Sequence, residues 1–69
     1  MRRFFLDRHV DVSGKSGTGK VAEGVLFEHT GQVVMCWLTQ RSSLVVLRSV
    51  EDLEHIHLHE GSTSLIWQD

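Results

Sequence analysis

Short segments in which apolar and polar residues alternate are the feature that most limits what this chain can fold into. In segment 4–12, positions 4, 6, 10 and 12 are apolar and positions 7, 9 and 11 are polar, which is the period of a β-strand with one buried face. Similar segments, separated by turns rich in glycine and serine, follow at 20–28, 32–39, 44–48, 55–59 and 63–67. Gly24 within the second segment predicts a bulge or a tight bend. The 33–38 stretch is apolar on both faces, which predicts the central strand of an antiparallel sheet.

Length and cysteine content set the size of the core. A chain of 69 residues forms one small domain, 1–69, that buries only about 60% of its unfolded surface. Its single cysteine, Cys36, cannot form an internal disulfide. We therefore expect an all-β fold: a small, strongly bent antiparallel sheet or barrel of five to six strands, with one short helical turn near 49–54 capped by Ser49. Trp37 and Trp67 are predicted to supply much of the core.

The run Gly14–Lys20 has the form of a phosphate-binding loop, G-x-x-x-x-G-K, but lacks the chemistry of one. The next residue is Val21, which has no hydroxyl to offer Mg²⁺, and the following segment has the period of a strand rather than a helix. The sequence therefore predicts a shaped connection between two strands. Consecutive backbone N–H groups of such a loop can bind an anion, which makes loop residues a candidate site: Ser13, Gly14, Ser16, Gly17, Thr18 and Gly19.

Three histidines alternate with apolar residues near the C-terminus. On a strand, His55, His57 and His59 would point to one face about 6.5–7 Å apart, a spacing that allows neighbours to share a metal ion. The competing interpretation is a polar outer face opposite inward-packing neighbours. No nucleophile motif such as G-x-S-x-G is present, so the sequence favours a protein that is not an enzyme and needs no cofactor.

Charge is unevenly distributed along the chain. Five cations lie in the first 20 residues and define a candidate nucleic-acid surface: Arg2, Arg3, Arg8, Lys15 and Lys20. The later part is acidic, with a cluster formed by Glu51, Asp52, Glu54 and Glu60. No apolar run approaches the roughly 18 residues that span a bilayer, which indicates no membrane partner and a cytoplasmic setting.

The chain resembles a group of short proteins from phages, actinobacteria and halophilic archaea. The resemblance rests on DVSG-x-SGTG-x-VAEGV-x-F at 11–27, WL at 37–38, IH-x-H-x-G-x-T at 56–63, and Trp67. Two positions depart from the group: lysines replace apolar or neutral residues in the loop, and His55 has no counterpart, which leaves His57 and His59 as the shared pair. The resemblance implies a small accessory protein of mobile elements and their hosts.

Together these features predict a non-enzymatic interaction module that docks on a macromolecular partner, with a protein as the first choice of partner. In a phage, inhibition of a host defence complex, as by an anti-CRISPR, is the most concrete version. The candidate contacts are acidic residues and histidines: Glu51, Asp52, Glu54, His57, His59 and Glu60. A small nucleic-acid-binding β-barrel is the alternative, a histidine-based metal-binding protein is a further one, and homodimerisation through a strand edge remains open.

Overall fold

A computed structural model describes residues 1–9, 18–38, 41–57 and 62–69, with the backbone alone at His57. The described residues form five strands and one helix: β1 Arg2–Arg8, β2 Gly19–Leu26, β3 Val33–Trp37, β4 Leu44–Leu47, α1 Val50–His57 and β5 Thr63–Trp67. The predicted all-β class and single short helix are confirmed, and the last residues of the predicted first strand, 10–12, lie outside the described residues.

All five strands belong to one antiparallel sheet in the order β4-β3-β2-β1-β5. The sheet is open, with β4 and β5 at its edges, so of the two predicted forms the bent sheet is correct and the closed barrel is not. The prediction that β3 is central is wrong: β2 is central and β3 lies next to an edge. Although β3 is apolar on both faces, only one of its faces is buried. On the other face, the side chains of Val34 and Cys36 are half-buried.

One face of the sheet, called the inner face, carries the core. Its buried side chains come from four strands and the helix: Phe4, Leu6, Val21, Ala22, Val33, Met35, Leu47 and Leu53. Trp37 and Trp67 are only partly buried and pack against this core, so the prediction that they form much of it is wrong. The largest fully buried side chains are instead Phe4, Leu6, Met35, Leu53 and Val33.

A β-bulge in β2 explains why its burial pattern departs from period two. The register between β1 and β2 shifts between Leu6 and Asp7, which pair with Ala22 and Lys20. The extra residue, Val21, is therefore buried beside Ala22 rather than exposed. The sequence predicts a bulge or bend at Gly24, whereas the bulge lies three residues earlier. Gly24 has a different role, because a Cβ there would approach backbone atoms of β3 and the Phe4 ring.

Helix α1 begins with the cap that the sequence predicts. The backbone N–H of Asp52 donates to Oγ of Ser49 at 3.1 Å, and the N–H of Leu53 donates to the Ser49 carbonyl at 3.3 Å. The helix then continues to His57, beyond the predicted end at residue 54. The predicted strand at 55–59 is therefore wrong over 55–57, since these residues are helical, and β5 pairs with β1 instead of closing a hairpin with that segment.

Replacing Ser49 by Ala is expected to lower the free energy of unfolding by about 1 kcal/mol, because the Asp52 N–H loses its acceptor. Thermal denaturation would show this as a decrease in Tm of roughly 4–8 °C for a domain of this size. Ser49→Asp is the matched control. Its carboxylate keeps a hydrogen-bond acceptor at the cap, and its negative charge interacts favourably with the positive end of the helix dipole. An equal loss of stability in both variants would contradict the capping role.

Candidate interaction surface

The face of the sheet opposite α1, called the outer face, is largely apolar. The strand register aligns its side chains in two cross-strand rows. The first row runs from edge to edge through Leu44, Cys36, Glu23, Phe5 and Ile66. The second row consists of Val46, Val34, Val25 and Arg3. Seven of these nine side chains are apolar or a thiol, so the outer face is more apolar than a solvent-exposed sheet face usually is.

Exposure on the outer face increases toward the β4 edge. Leu44 is 73% exposed and Val46 is 68% exposed, whereas their neighbours Val34 and Cys36 on β3 are half-buried. At the other edge Ile66 is 38% exposed. Among the described elements, α1 is the only helix, and its buried side chain Leu53 packs into the core of the inner face. The apolar side chains of the outer face are therefore covered by no described helix.

The polar residues on the outer face lie around Phe5. The Lys20 ammonium forms an ion pair with Glu23 at 3.1 Å and lies 5.4 Å from the centre of the Phe5 ring. Both partners of the ion pair are about half exposed, so the pair contributes little to stability. Its consequence is that a cation and an anion lie near the middle of the outer face, because Glu23 stands on the central strand β2.

The acidic residues of the predicted contact surface lie along α1. Glu51 and Glu54 are exposed and, with His55, border one shallow groove. Asp52 is half-buried, because its backbone is held by the Ser49 cap. Glu51 and Asp52 also occupy the first helical turn, where their charges interact favourably with the helix dipole. His59 and Glu60 lie outside the described residues, as does the side chain of His57, so the described acidic ridge consists of Glu51, Asp52 and Glu54.

The predicted cations do not form one face. Arg2 stacks on Trp67 with its guanidinium 4.0 Å from the ring, at the margin of the inner face. Arg3 points to the outer face and its Nε lies 3.5 Å from Oδ2 of Asp69. Arg8 is about 20 Å from Arg2 along the same strand. Lys15 lies outside the described residues.

The Arg3–Asp69 contact also involves the backbone. The N–H of Arg3 donates to Oδ1 of Asp69 at 2.8 Å, and this hydrogen bond, with smaller effects from the nearby arginine charges, lowers the pKa of the Asp69 carboxyl. Because the folded-state pKa is lowered, the interaction stabilises the fold above the ordinary pKa of the carboxyl and is lost as pH falls through the lowered value. Arg3 therefore keeps an anionic partner at neutral pH.

The histidines are placed differently from the metal-site geometry considered for them. His55 and His57 both belong to α1, and positions two apart on a helix do not face each other. The arrangement of three imidazoles along one strand face therefore does not apply to this segment. Among the residues that the structure describes, no group of three or more histidine, cysteine or carboxylate side chains is arranged to hold a metal ion.

The glycine-rich anion-site candidate falls mainly outside the described residues, which resume at Thr18. Gly19 follows with a φ of +91°, in the left-handed region expected of a shaped glycine loop. The chain then enters β2 directly, not a helix. This described strand confirms the strand that the sequence predicts there. A nucleotide-binding loop requires the N-terminal end of a helix at the same place, and the described residues after the loop form a strand instead.

Among the described residues, the group of Asp7, His9 and Ser64 is the arrangement that most resembles catalytic machinery. Nε2 of His9 lies 2.6 Å from Oγ of Ser64, and its Nδ1 lies 3.7 Å from Oδ2 of Asp7. The order of groups is that of a nucleophilic triad. However, 3.7 Å exceeds a hydrogen bond, and the His9 and Asp7 side chains are 48% and 38% exposed on an open strand surface. Water competes with both contacts there, so the geometry supports a surface hydrogen bond rather than an activated serine.

The apolar outer face is the feature that sequence reasoning missed. The signal was present, because Val25, Val34 and Val46 occupy positions where a half-exposed strand would carry polar residues. Apolar residues on both faces were interpreted as burial on both sides. They also fit a strand with one buried face and one partly exposed face, and the structure shows that this second case applies.

Comparison with known proteins places the chain among phage proteins. No helix among the described residues is long and apolar enough to cross a membrane. No curated protein and no solved structure matches the chain. A match does extend over all residues, 1–69, to the family described as Acb5 phage protein, in agreement with the phage component of the resemblance noted from the sequence. The chain therefore belongs to the Acb5 phage protein family.

Proposed function

We propose that this protein is a phage accessory protein that acts in the host cytoplasm by docking on a host protein. It inhibits a defence complex of the host in the way that an anti-CRISPR does. Membership in a phage protein family supports the setting. The docking mechanism is supported by one observation above the others, the apolar outer face with Leu44 and Val46 exposed.

The outer face has the layout of a protein-binding surface. Its apolar part extends from the β4 edge through Val34 to Val25, and burial of such side chains stabilises a complex by about 25 cal/mol per Å² of area removed from water. The charged residues Arg3, Lys20 and Glu23 lie beside this part on β1 and β2 and are available for hydrogen bonds to a partner. Because Glu23 stands on the central strand, the larger part of the apolar contact lies toward the β4 edge of the sheet.

The acidic ridge of α1 is the second contact in the proposal. Within the described part of the chain, Glu51 and Glu54 are exposed and neither has a cationic partner. Unpaired surface charges accelerate association with an oppositely charged surface more than they add affinity. The ridge therefore favours a host target with a basic surface, including one that itself binds nucleic acid.

We further propose that inhibition involves no catalysis and no cofactor. The Asp7, His9 and Ser64 group is the described arrangement closest to an active site, and its exposure on an open strand argues against an activated nucleophile. The nucleic-acid alternative gains no support from the separated positions of Arg2, Arg3 and Arg8. The metal alternative assumed histidines along one face of a strand, whereas His55 and His57 belong to α1.

The test is affinity purification of the tagged protein from lysate of the phage's host, with and without nuclease, combined with a plating assay. We expect one stoichiometric host protein that survives nuclease, and expression of the chain should restore plating of a phage that the host defence restricts. Ile66→Lys, which places a charge on the outer face, should abolish both effects. Ile56→Gln on α1, where the replaced residue is 47% exposed, leaves the charge of the acidic ridge unchanged; it is the control and should retain them.

A double variant, Glu51→Lys with Glu54→Lys, measures the contribution of the acidic ridge. We expect slower association with the host partner, by roughly tenfold at low ionic strength, and a smaller effect in high salt. Recovery that depends on intact nucleic acid would overturn the proposal in favour of the nucleic-acid alternative. Retention of partner and plating by Ile66→Lys would contradict the outer face as the contact.

A further inference from the structure

The β4 edge is short and apolar, and the described strand has few of the features by which proteins protect an exposed edge. The segment Leu44–Leu47 has the sequence LVVL, with no charge, proline or bulge. The opposite edge is different, because β5 borders a groove to which α1 contributes Val50 and Glu54. An unprotected apolar edge strand is a ready template for pairing with another strand.

The hydrogen-bond pattern of the sheet determines which β4 groups are available. The N–H of Trp37 donates to the carbonyl of Ser43 at 2.9 Å, so residue 43 is hydrogen-bonded to β3. In an antiparallel ladder the bonded positions alternate, which directs Val45 and Leu47 toward β3 as well. The backbone N–H and C=O groups of Leu44 and Val46 therefore point away from the sheet, at its free edge.

We propose that β4 pairs with β4 of a second copy of this chain, in antiparallel orientation, with Leu44 opposite Val46 of that copy. This register joins each outward-facing residue to another across a two-fold axis and forms four backbone hydrogen bonds. It also aligns the exposed Leu44 and Val46 side chains with each other, because both lie on the outer face. The occupant is a second copy because the edge is complementary to itself.

Charge and apolar contact select this register over the two neighbouring ones that the hydrogen-bond pattern allows. A shift of two residues in one direction would place Leu44 opposite the charged Arg48. A shift in the other direction would place Leu44 opposite itself and leave Val46 opposite the polar Ser42. In the proposed register Arg48 lies opposite Ser42, and both are exposed and polar. Exposed apolar side chains then meet only each other.

Pairing would join two five-stranded sheets into one of ten strands and make the two outer faces continuous. The interface itself is small. Its four backbone hydrogen bonds and two side chains from each copy bury less surface than the roughly 800 Å² per partner that is typical of a stable complex. The dimer is therefore expected to be weak and dependent on concentration. Dimerisation goes beyond the proposed function, because the dimer contains only two copies of this chain.

The test is sedimentation velocity of the purified protein from about 10 µM to about 1 mM, the range in which such a small interface should assemble. We expect the wild type to pass from monomer to dimer. Leu44→Lys and Val46→Glu should each be monomeric throughout, because each places two unpaired charges in the interface. An equimolar mixture of the two variants should regain dimer, since Lys at 44 then lies opposite Glu at 46.

The mixture also tests the register. A pairing that brings residue 44 opposite Arg48 would set Lys at 44 against another cation and give no dimer. Thermal denaturation of both variants controls for folding, and their exposure predicts only small losses. A wild type that stays monomeric, variants that dimerise as well as the wild type, or a mixture that stays monomeric would each overturn the proposal. No host protein is in the sample, so these results are independent of the docking experiment.

Discussion

Replacing Gly24 by Ala is expected to lower the free energy of unfolding by about 3 kcal/mol, a large part of the total for a chain of this length. A Cβ at this position would overlap the carbonyl oxygen of Val34 and lie 2.7 Å from the Phe4 ring and 3.0 Å from Cα of Met35. Two of these three neighbours are backbone atoms of β3, which cannot move without breaking the β2–β3 ladder. Tm should fall by more than about 12 °C.

Glu23→Ala is the matched control for Gly24→Ala. It places the same residue one position earlier on β2, but on the exposed outer face, where it removes only the half-exposed ion pair with Lys20. Its stability should change by no more than about 0.5 kcal/mol. A second variant separates the two clashes: adding Phe4→Leu to Gly24→Ala relieves the ring but not the Val34 carbonyl. Full rescue by that addition, or equal stability of the Gly24 and Glu23 variants, would contradict the backbone clash.

Gly24 also illustrates how far the sequence predicts this fold. A glycine within a strand indicates either a bulge or a close approach, and the residues around it do not distinguish the two. The bulge lies at Val21, which has ordinary strand propensity, and it follows from the register between β1 and β2. Local sequence therefore predicted where β2 lies and that it is irregular, whereas the form of the irregularity depends on a strand that is distant along the chain.

The C-terminal segment shows the same limit for the helix. His55, Ile56 and His57 have the alternation of a strand, and the sequence prediction ended the helix before them. The structure continues α1 through these residues because Leu53 is buried against the sheet and β1 already pairs with β5 on its free side. Strand pairing between distant segments decided the outcome, and the histidine geometry considered for a metal site changed with it.

The candidate contacts were predictable only in part. Charge clusters are visible in any sequence, so the acidic ridge of Glu51, Asp52 and Glu54 could be named before its position was known. The apolar residues of the outer face, Val34 and Val46 among them, are also visible in the sequence, but their exposure is not, because only the topology shows that α1 covers one face of the sheet. Apolar pattern predicts that a strand is buried, but whether the protein's own core or a partner buries its second face is a property of the whole fold.

Replacing Leu53 by Ala is expected to cost about 3 kcal/mol and to detach α1 from the sheet. Among the α1 side chains that the structure describes, Leu53 alone is buried, with 0% exposure, so it anchors the helix in the core. Truncation removes the transfer free energy of the side chain and leaves a cavity. An isolated helix of eight residues is unstable in water, so the helical circular dichroism signal near 222 nm should decrease with the packing.

Ile56→Ala on the same helix separates anchoring from helix propensity. The replaced side chain is 47% exposed, and Ala favours the helix more than Ile does, so stability should change by no more than about 0.5 kcal/mol and the helical signal should persist. Equal losses from Leu53→Ala and Ile56→Ala would contradict the anchoring role of Leu53. Because the acidic ridge is carried by α1, Leu53→Ala should also slow association with a host partner as the double charge reversal does, although every charge is retained. That effect would link the packing of one buried leucine to the presentation of the contact surface.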